Sequence, residues 1–161
     1  MKLKERIDQF LSDDYHQVEL KYVTPRGKWY DYSWKGMEEK SGGITSNIGV
    51  HLFDLLIWIF GEVLENRLFD RISRKAEGFL KLKKAEVNWS LSINREDLEG
   101  ENSFLRKLVV DGQEIDFSKG LNDLHTVFYQ KVVSGHYESI AENERLITLL
   151  HSLRTTNIVH N

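Results

Sequence analysis

Hydrophobic and polar positions alternate along Val18-Glu19-Leu20-Lys21-Tyr22, the period of a strand with one covered face. Pro25-Arg26-Gly27 ends it in a turn. The alternation returns in 85–93, where Val87, Trp89, Leu91 and Ile93 are separated by polar residues, and stretches 66–74 and 78–82 have the same strand texture. Segments 104–110 and 113–117 flank Asp111-Gly112, a dipeptide suited to a two-residue hairpin turn. A different pattern fills 46–60. There Ile48, Val50, Leu52, Phe53, Leu55, Leu56, Ile57, Trp58, Ile59 and Phe60 leave no wet face, which predicts a helix from about Ser46 covered on most sides. Gly42 and Gly43 before it accept backbone angles other residues avoid, and Thr45 and Ser46 can cap its first amides. Helical spacing also marks 2–11 (Leu3, Ile7, Phe10, Leu11), a segment from Asn122 or Asp123 to Gly135, and about 142–154 (Leu146, Leu149, Leu150, Leu153).

Helix, strand, loop, central helix, four or five strands and two helices predict an α+β domain with an open, mostly antiparallel sheet and helices packed on one face. The chain of 161 residues is read as a single domain, 1–161, large enough for its own core. One-sided alternation along 85–93 implies a sheet face that is wet or covered by a partner. With 22 basic and 25 acidic residues and no long run of either sign, composition gives no support to nucleic-acid or polybasic membrane binding. The lack of cysteine removes disulfides, thiolate nucleophiles and zinc–cysteine sites. The N-terminal stretch has no uninterrupted apolar region of the signal-peptide kind, and the run Val50 to Phe60 contains Asp54 and is too short to span a bilayer. The expectation is a soluble, cytoplasmic protein.

Asn47, His51 and Asp54 interrupt the apolar run, Asn47 and His51 four apart and so on one helix face. A buried polar side chain needs a hydrogen bond or a task. His51 is either a core histidine satisfied by a carbonyl, or a general acid or base beside a ligand, since imidazole titrates near neutrality. Residues 28–40 mix Trp29, Tyr30, Tyr32 and Trp34 with charges and show no clean period, as a loop over a site does. Those aromatics either cover the core or, with Arg26, Lys28, Lys35 and Lys40, suit a ligand carrying rings and negative charge. Neither G-x-G-x-x-G, a P-loop nor G-x-S-x-G occurs, so the usual glycine cradles for dinucleotides and nucleotide triphosphates are missing. No metal site is expected: the other histidines lack paired ligand spacing.

SGGITSNIGVHLFDLLIWIFG resembles the G-G-x-x-x-D-x-x-x-H-x-x-D motif that opens the second domain of the Gfo/Idh/MocA oxidoreductases. RGKWYDYSWKGMEEKSGGITSNIGVHLFD, VNWSLSI and VDGQEIDFSKGLNDLHTVFYQKVVSG are similar, more narrowly, to UDP-N-acetylglucosaminuronate 3-dehydrogenases of the WlbA and WbpB type, which act in surface-polysaccharide (O-antigen, lipopolysaccharide) biosynthesis. The resemblance covers nearly the whole chain. It implies the substrate-binding and oligomerisation half of an NAD-dependent sugar-nucleotide dehydrogenase, with 1–15 as the remnant of an inter-domain helix. The Rossmann domain that binds NAD and supplies a catalytic lysine is absent from these residues, which leads to the expectation of an excised or truncated chain, inactive alone. The motif histidine falls on His51, implied to move the proton of a sugar hydroxyl. The broad family's aspartate falls on Asn47, as it does in the sugar-nucleotide branch, implying that Asn47 bonds substrate or holds His51. Lys40, Thr45 and Arg26 are candidates for the uronate and phosphates, Trp34 for a substrate ring, and Asp54 for a structural role. Met37 departs from the acidic residue usual in that branch. A UDP-sugar, the NAD domain and further copies of the chain, joined through the sheet, are the implied partners. The alternative is a non-catalytic oligomerisation or ligand-binding module that has lost its NAD domain.

Overall fold

The computed structural model describes residues 15–98, 100, 102–115 and 140–159. The predicted helices at 2–11 and 122–135, and the end of the second hairpin strand, lie outside the described residues. Six strands form one sheet: β1 (His16–Val23), β2 (Val63–Ile72), β3 (Lys75–Leu82), β4 (Ala85–Ser92), β5 (Leu105–Val110) and β6 (Gln113–Glu114), in the order β2-β3-β4-β1-β5-β6. β1 runs parallel to β4, and the other four neighbouring pairs are antiparallel. Alternation decides what each face carries. Leu20 lies between Trp89 and Leu108, and Val18 between Val87 and Val110, so these side chains form continuous apolar rows across three strands. On the opposite face Gln17, Glu19, Glu86 and Asn88 leave the sheet wet or half-exposed among the described residues.

Among the described residues two helices cover the apolar rows, α4 (Val50–Phe60) and α5 (Ile140–Thr155). From them Phe53, Leu56, Phe60, Leu149 and Leu153 join the core, each large apolar side chain contributing roughly 1.5–3 kcal/mol on burial. Phe53 meets Trp89 edge-on, ring centroids 5.1 Å apart. Gly78 makes room for that indole: a Cβ there would fall 2.7 Å from Trp89 Cζ2 and 2.4 Å from the Arg67 carbonyl. The Asp111-Gly112 turn is as expected, with φ of 50° and 80°, the pair of left-handed angles that matches the twist of a hairpin.

The apolar segment departs from expectation. It is not one helix from Ser46. α3 (Gly43–Asn47) begins earlier, and α4 follows after a break at Ile48-Gly49, the helical stretch Glu38–Asn47 and α4 being bent by 46° to one another. At Gly49 the chain packs directly against the sheet; a Cβ there would lie 2.5 Å from the Thr45 carbonyl and 2.8 Å from Leu91 Cδ1. Neither Thr45 nor Ser46 caps α3: Gly42, left-handed at φ 78°, stands at its start, Ser41 Oγ accepts from the Gly43 amide, and Thr45 is buried within it. Nor is α4 covered on every side, because His51, Asp54 and Trp58 are exposed on the face turned from the sheet. Residues 28–40 are not irregular loop but three short helical turns, α1 (Trp29–Tyr32), a 3₁₀ turn at Trp34–Gly36 and α2 (Glu38–Ser41). No single described helix is long and apolar enough to cross a membrane.

Candidate functional site

The helical turns that precede α4 are tied into one unit by a few backbone carbonyls. Tyr30 is its anchor, 2 % exposed within the core cluster. Gly36 passes so close that a Cβ on it would sit 2.5 Å from the Tyr30 carbonyl, and Ser33 Oγ donates to that same oxygen at 2.8 Å. The Lys35 carbonyl is the second knot. It accepts from Asn47 Nδ2 at 3.0 Å, and Ser41 Oγ lies 2.9 Å away. Ser41 Oγ in turn accepts from Gly43 N at 3.1 Å, which fixes the left-handed Gly42-Gly43 step between α2 and α3. The aromatic, cationic segment is therefore held against the start of the helical motif.

From the opposite side the turn between β2 and β3 supplies Arg74. Its Nη1 meets Asp31 Oδ1 at 2.6 Å, Nη2 donates to the Arg26 carbonyl at 2.8 Å, and Nε donates to Asn94 Oδ1 at 2.8 Å. One guanidinium thus joins the segment after β1, α1 and the end of β4. The Tyr30 phenol sits among these groups. Burial raises its pKa above the ordinary value, while Asn47, Arg26 and Arg74 oppose that shift and Asp31 adds to it. Asn47 acts without completing a hydrogen bond of ordinary geometry, for the Tyr30 hydroxyl is buried with no hydrogen-bond partner among the described residues.

The structure brings Arg26 and Asn47 together around Tyr30, and Asn47 to the turn that carries Trp34 and Lys35. Trp34 is 56 % exposed, with Lys35 Nζ 5.9 Å from its ring centroid. Lys40 is exposed at the end of α2. His51 is exposed on the first turn of α4 and makes no hydrogen bond or ion pair with the described residues. A core histidine satisfied by a carbonyl is thereby excluded. An open imidazole on a helix start can accept or return the proton of a docked hydroxyl. Two expectations need correction. Asn47 does not hold His51, since its side-chain amide donates to the Lys35 carbonyl and the helix is broken between the two residues at Ile48-Gly49. Thr45, expected at a ligand, is 1 % exposed and belongs to the core. Tyr30 and Arg74 escaped the sequence reading as organising residues. Tyr30 stands among similar aromatics without a period to single it out, and Arg74 finds Asp31 and Arg26 only through the fold.

Comparison with known proteins adds to this geometry. Residues 13–75 match the oxidoreductase family, C-terminal alpha/beta domain, of the Gfo/Idh/MocA group. The chain is similar to the WlbA (WbpB) dehydrogenase from Thermus thermophilus, in a structure with NAD and alpha-ketoglutarate. Identity is 39 %, the TM-score 0.90, and the match covers 99 % of this chain and 53 % of that one. A structure of the Thermus enzyme with NAD and UDP-GlcNAcA matches at the same identity, with TM-score 0.89 and 52 % of its chain covered. The WlbA dehydrogenase from Bordetella pertussis shares the fold, at 18 % identity and TM-score 0.68, with 96 % of this chain and 57 % of that one covered. The chain spans about half the length of each.

Proposed function

Because the chain belongs to the Gfo/Idh/MocA oxidoreductase family, as its C-terminal alpha/beta domain, we propose that it is the substrate-binding half of an NAD-dependent sugar-nucleotide dehydrogenase. The substrate is a UDP-N-acetylhexosaminuronate oxidised at its 3-hydroxyl, and His51 is the proton-handling group. The observation that carries this reading is the state of His51: exposed, without a partner among the described residues, four positions beyond the Asn47 that anchors an aromatic and cationic loop. Similarity to the Thermus enzyme, seen with NAD and UDP-GlcNAcA, supplies the class of substrate.

NAD is the cofactor of the family, but the residues described here do not fit it. The parallel pair β1 and β4 carries no glycine-rich strand-to-helix turn; β1 runs instead into Pro25-Arg26-Gly27 and a four-residue helix. The dinucleotide is accordingly assigned to a domain beyond this chain, and no hydride step is derived from these residues. What they contribute is position and proton transfer. Trp34 offers a flat apolar face to a ring of the substrate, Lys40 and Arg26 offer cations to its anionic groups, and Asn47 keeps the Lys35 turn in place. Thr45, being buried, receives no ligand contact. His51 stands ready to take the proton of the hydroxyl being oxidised, a task commonly worth roughly 10²- to 10⁴-fold in rate.

The wet face of the sheet, with its mixed charges and Phe79 beneath the Arg67 guanidinium, is the surface through which copies of the chain would associate. A cytoplasmic setting and a place in surface-polysaccharide biosynthesis belong to the same reading. Titration of UDP-N-acetylglucosaminuronate into the chain, followed by calorimetry, tests it. Saturable binding that outcompetes UDP supports the reading, and no heat beyond dilution with a folded protein refutes it.

A further inference from the structure

We propose that Arg106 is an anion-binding residue of this site, taking a carboxylate or a phosphate of the ligand through the edge of its guanidinium. The inference rests on the sugar-nucleotide reading above.

Arg106 breaks the pattern of its strand. On the helix-covered face of β5, Leu108 and Val110 are buried, yet Arg106 holds the next position of the same row. Its cross-strand partner is Tyr22, which pairs in turn with Leu91 on β4. The guanidinium carbon lies 5.6 Å from the Tyr22 ring centroid and 4.9 Å from that of Phe104. No carboxylate or carbonyl answers it among the described residues, and its Nε is buried without a hydrogen-bond partner. Arg71 and Arg74, on β2 and the turn after it, differ: the first donates to the Leu153 and Arg154 carbonyls, the second to Asp31, Asn94 and Arg26.

Ring contacts engage the flat faces of a guanidinium and fix its plane, which leaves the in-plane N–H fork for a planar or tetrahedral anion. A desolvated donor left unpaired is costly, and a ligand oxygen would relieve that cost. The stack is not sealed from solvent, since Arg106 is only half-buried and Phe104 is 53 % exposed. Its position agrees with the candidate site. Leu91 is the residue against which Gly49 closes at the head of α4, and Arg106 lies two strands across from it, roughly 10 Å at ordinary strand spacing. His51 follows Gly49 by two residues. A sugar nucleotide, with its reacting hydroxyl and anionic groups several bonds apart, spans such a distance.

Calorimetric titration of the chain and its Arg106→Gln variant with UDP-N-acetylglucosaminuronate, UDP-N-acetylglucosamine and UDP tests the proposal. Loss of one charge-assisted fork should weaken binding about tenfold to a hundredfold. If Arg106 holds the uronate, the loss is confined to the first ligand; if it holds a phosphate, all three weaken alike. Should Arg106→Gln fail to fold, Arg106→Lys decides, since it keeps the cation and stem but not the fork. Unchanged affinities in a folded variant overturn the assignment and leave the sugar-nucleotide reading intact. A wild-type chain that binds none of the three overturns both.

Discussion

The side-chain amide of Asn47 donates to the Lys35 carbonyl at 3.0 Å, and this bond fastens the aromatic turn to α3. A carbonyl oxygen only accepts, so the residue here must bring a proton. Aspartate, the broad family's residue at this place, would face that oxygen with a second acceptor and a charge. Asn47→Asp should lower the thermal midpoint by a few degrees, on the order of 1–2 kcal/mol for one lost hydrogen bond and the repulsion replacing it. The deficit should shrink below about pH 4, where the carboxyl regains a proton to give. Thermal melts at neutral and acid pH check both parts.

Gly49 has an ordinary helical backbone, φ −73°, so its requirement for glycine is steric and not conformational. A methyl group would meet the Thr45 carbonyl at 2.5 Å and Phe53 Cε2 at 2.6 Å. Gly49→Ala is expected to destabilise by roughly 1–3 kcal/mol through overpacking. Gly112→Ala has open space around it but φ 80°, and its cost of about 1–2 kcal/mol comes from the left-handed backbone. Urea unfolding of the two variants measures these costs. A nearly neutral Gly49→Ala would contradict the close approach of α4 to Leu91.

His16, 2 % exposed, places Nδ1 2.6 Å from Asp111 Oδ2, while Asp111 Oδ1 accepts from Gln17 N at 2.9 Å. The His16 hydrogen bond first, and the Gln17 amide second, hold the Asp111 carboxyl below its ordinary value. A carboxyl depressed in the folded state contributes stability above its unfolded value, about 3.9, and loses it as pH falls through the lower folded value. Urea midpoints recorded from pH 6 downward should therefore fall more steeply below pH 4 for the wild type than for Asp111→Asn. Parallel curves would remove Asp111 from the acid response.

Arg74 holds three segments with one side chain, and lysine cannot reproduce that fork. Arg74→Lys should speed amide exchange in 26–36 by about tenfold or more while leaving α5 unchanged. Exchange followed by mass spectrometry reads both regions in one experiment. Equal protection in both would mean that Tyr30 alone fixes the loop.

The sheet was legible because a strand half-covered by helices must alternate, and Val18 to Tyr22 and Val87 to Ile93 do so. Asp111-Gly112 was legible because few dipeptides accept two left-handed residues. The parallel pairing of β1 with β4 was not, since nothing local to Leu20 points to Trp89. An all-apolar segment read as one continuous helix because the bend at Gly49 depends on Leu91, a residue of another strand. His51 stood out as a polar interruption of an apolar run, and the motif resemblance weighted it. Asn47 stood out as well, but its partner is a backbone carbonyl in a segment without a period, and such partners leave no trace in side-chain pattern. Thr45 looked like a cap or ligand by residue type, whereas its burial, 1 % exposed, follows from tertiary packing that the pattern did not contain.

His51 is proposed above to move the proton of the sugar hydroxyl in an enzyme of which this chain is the substrate half. The direct measurement is NADH formation from UDP-N-acetylglucosaminuronate by the chain joined to an NAD-binding domain of the WlbA type, with His51 and with His51→Asn. A proton-transferring His51 predicts a rate lowered by roughly 10²- to 10⁴-fold in the variant, with substrate affinity little changed. A variant that keeps the wild-type rate contradicts it.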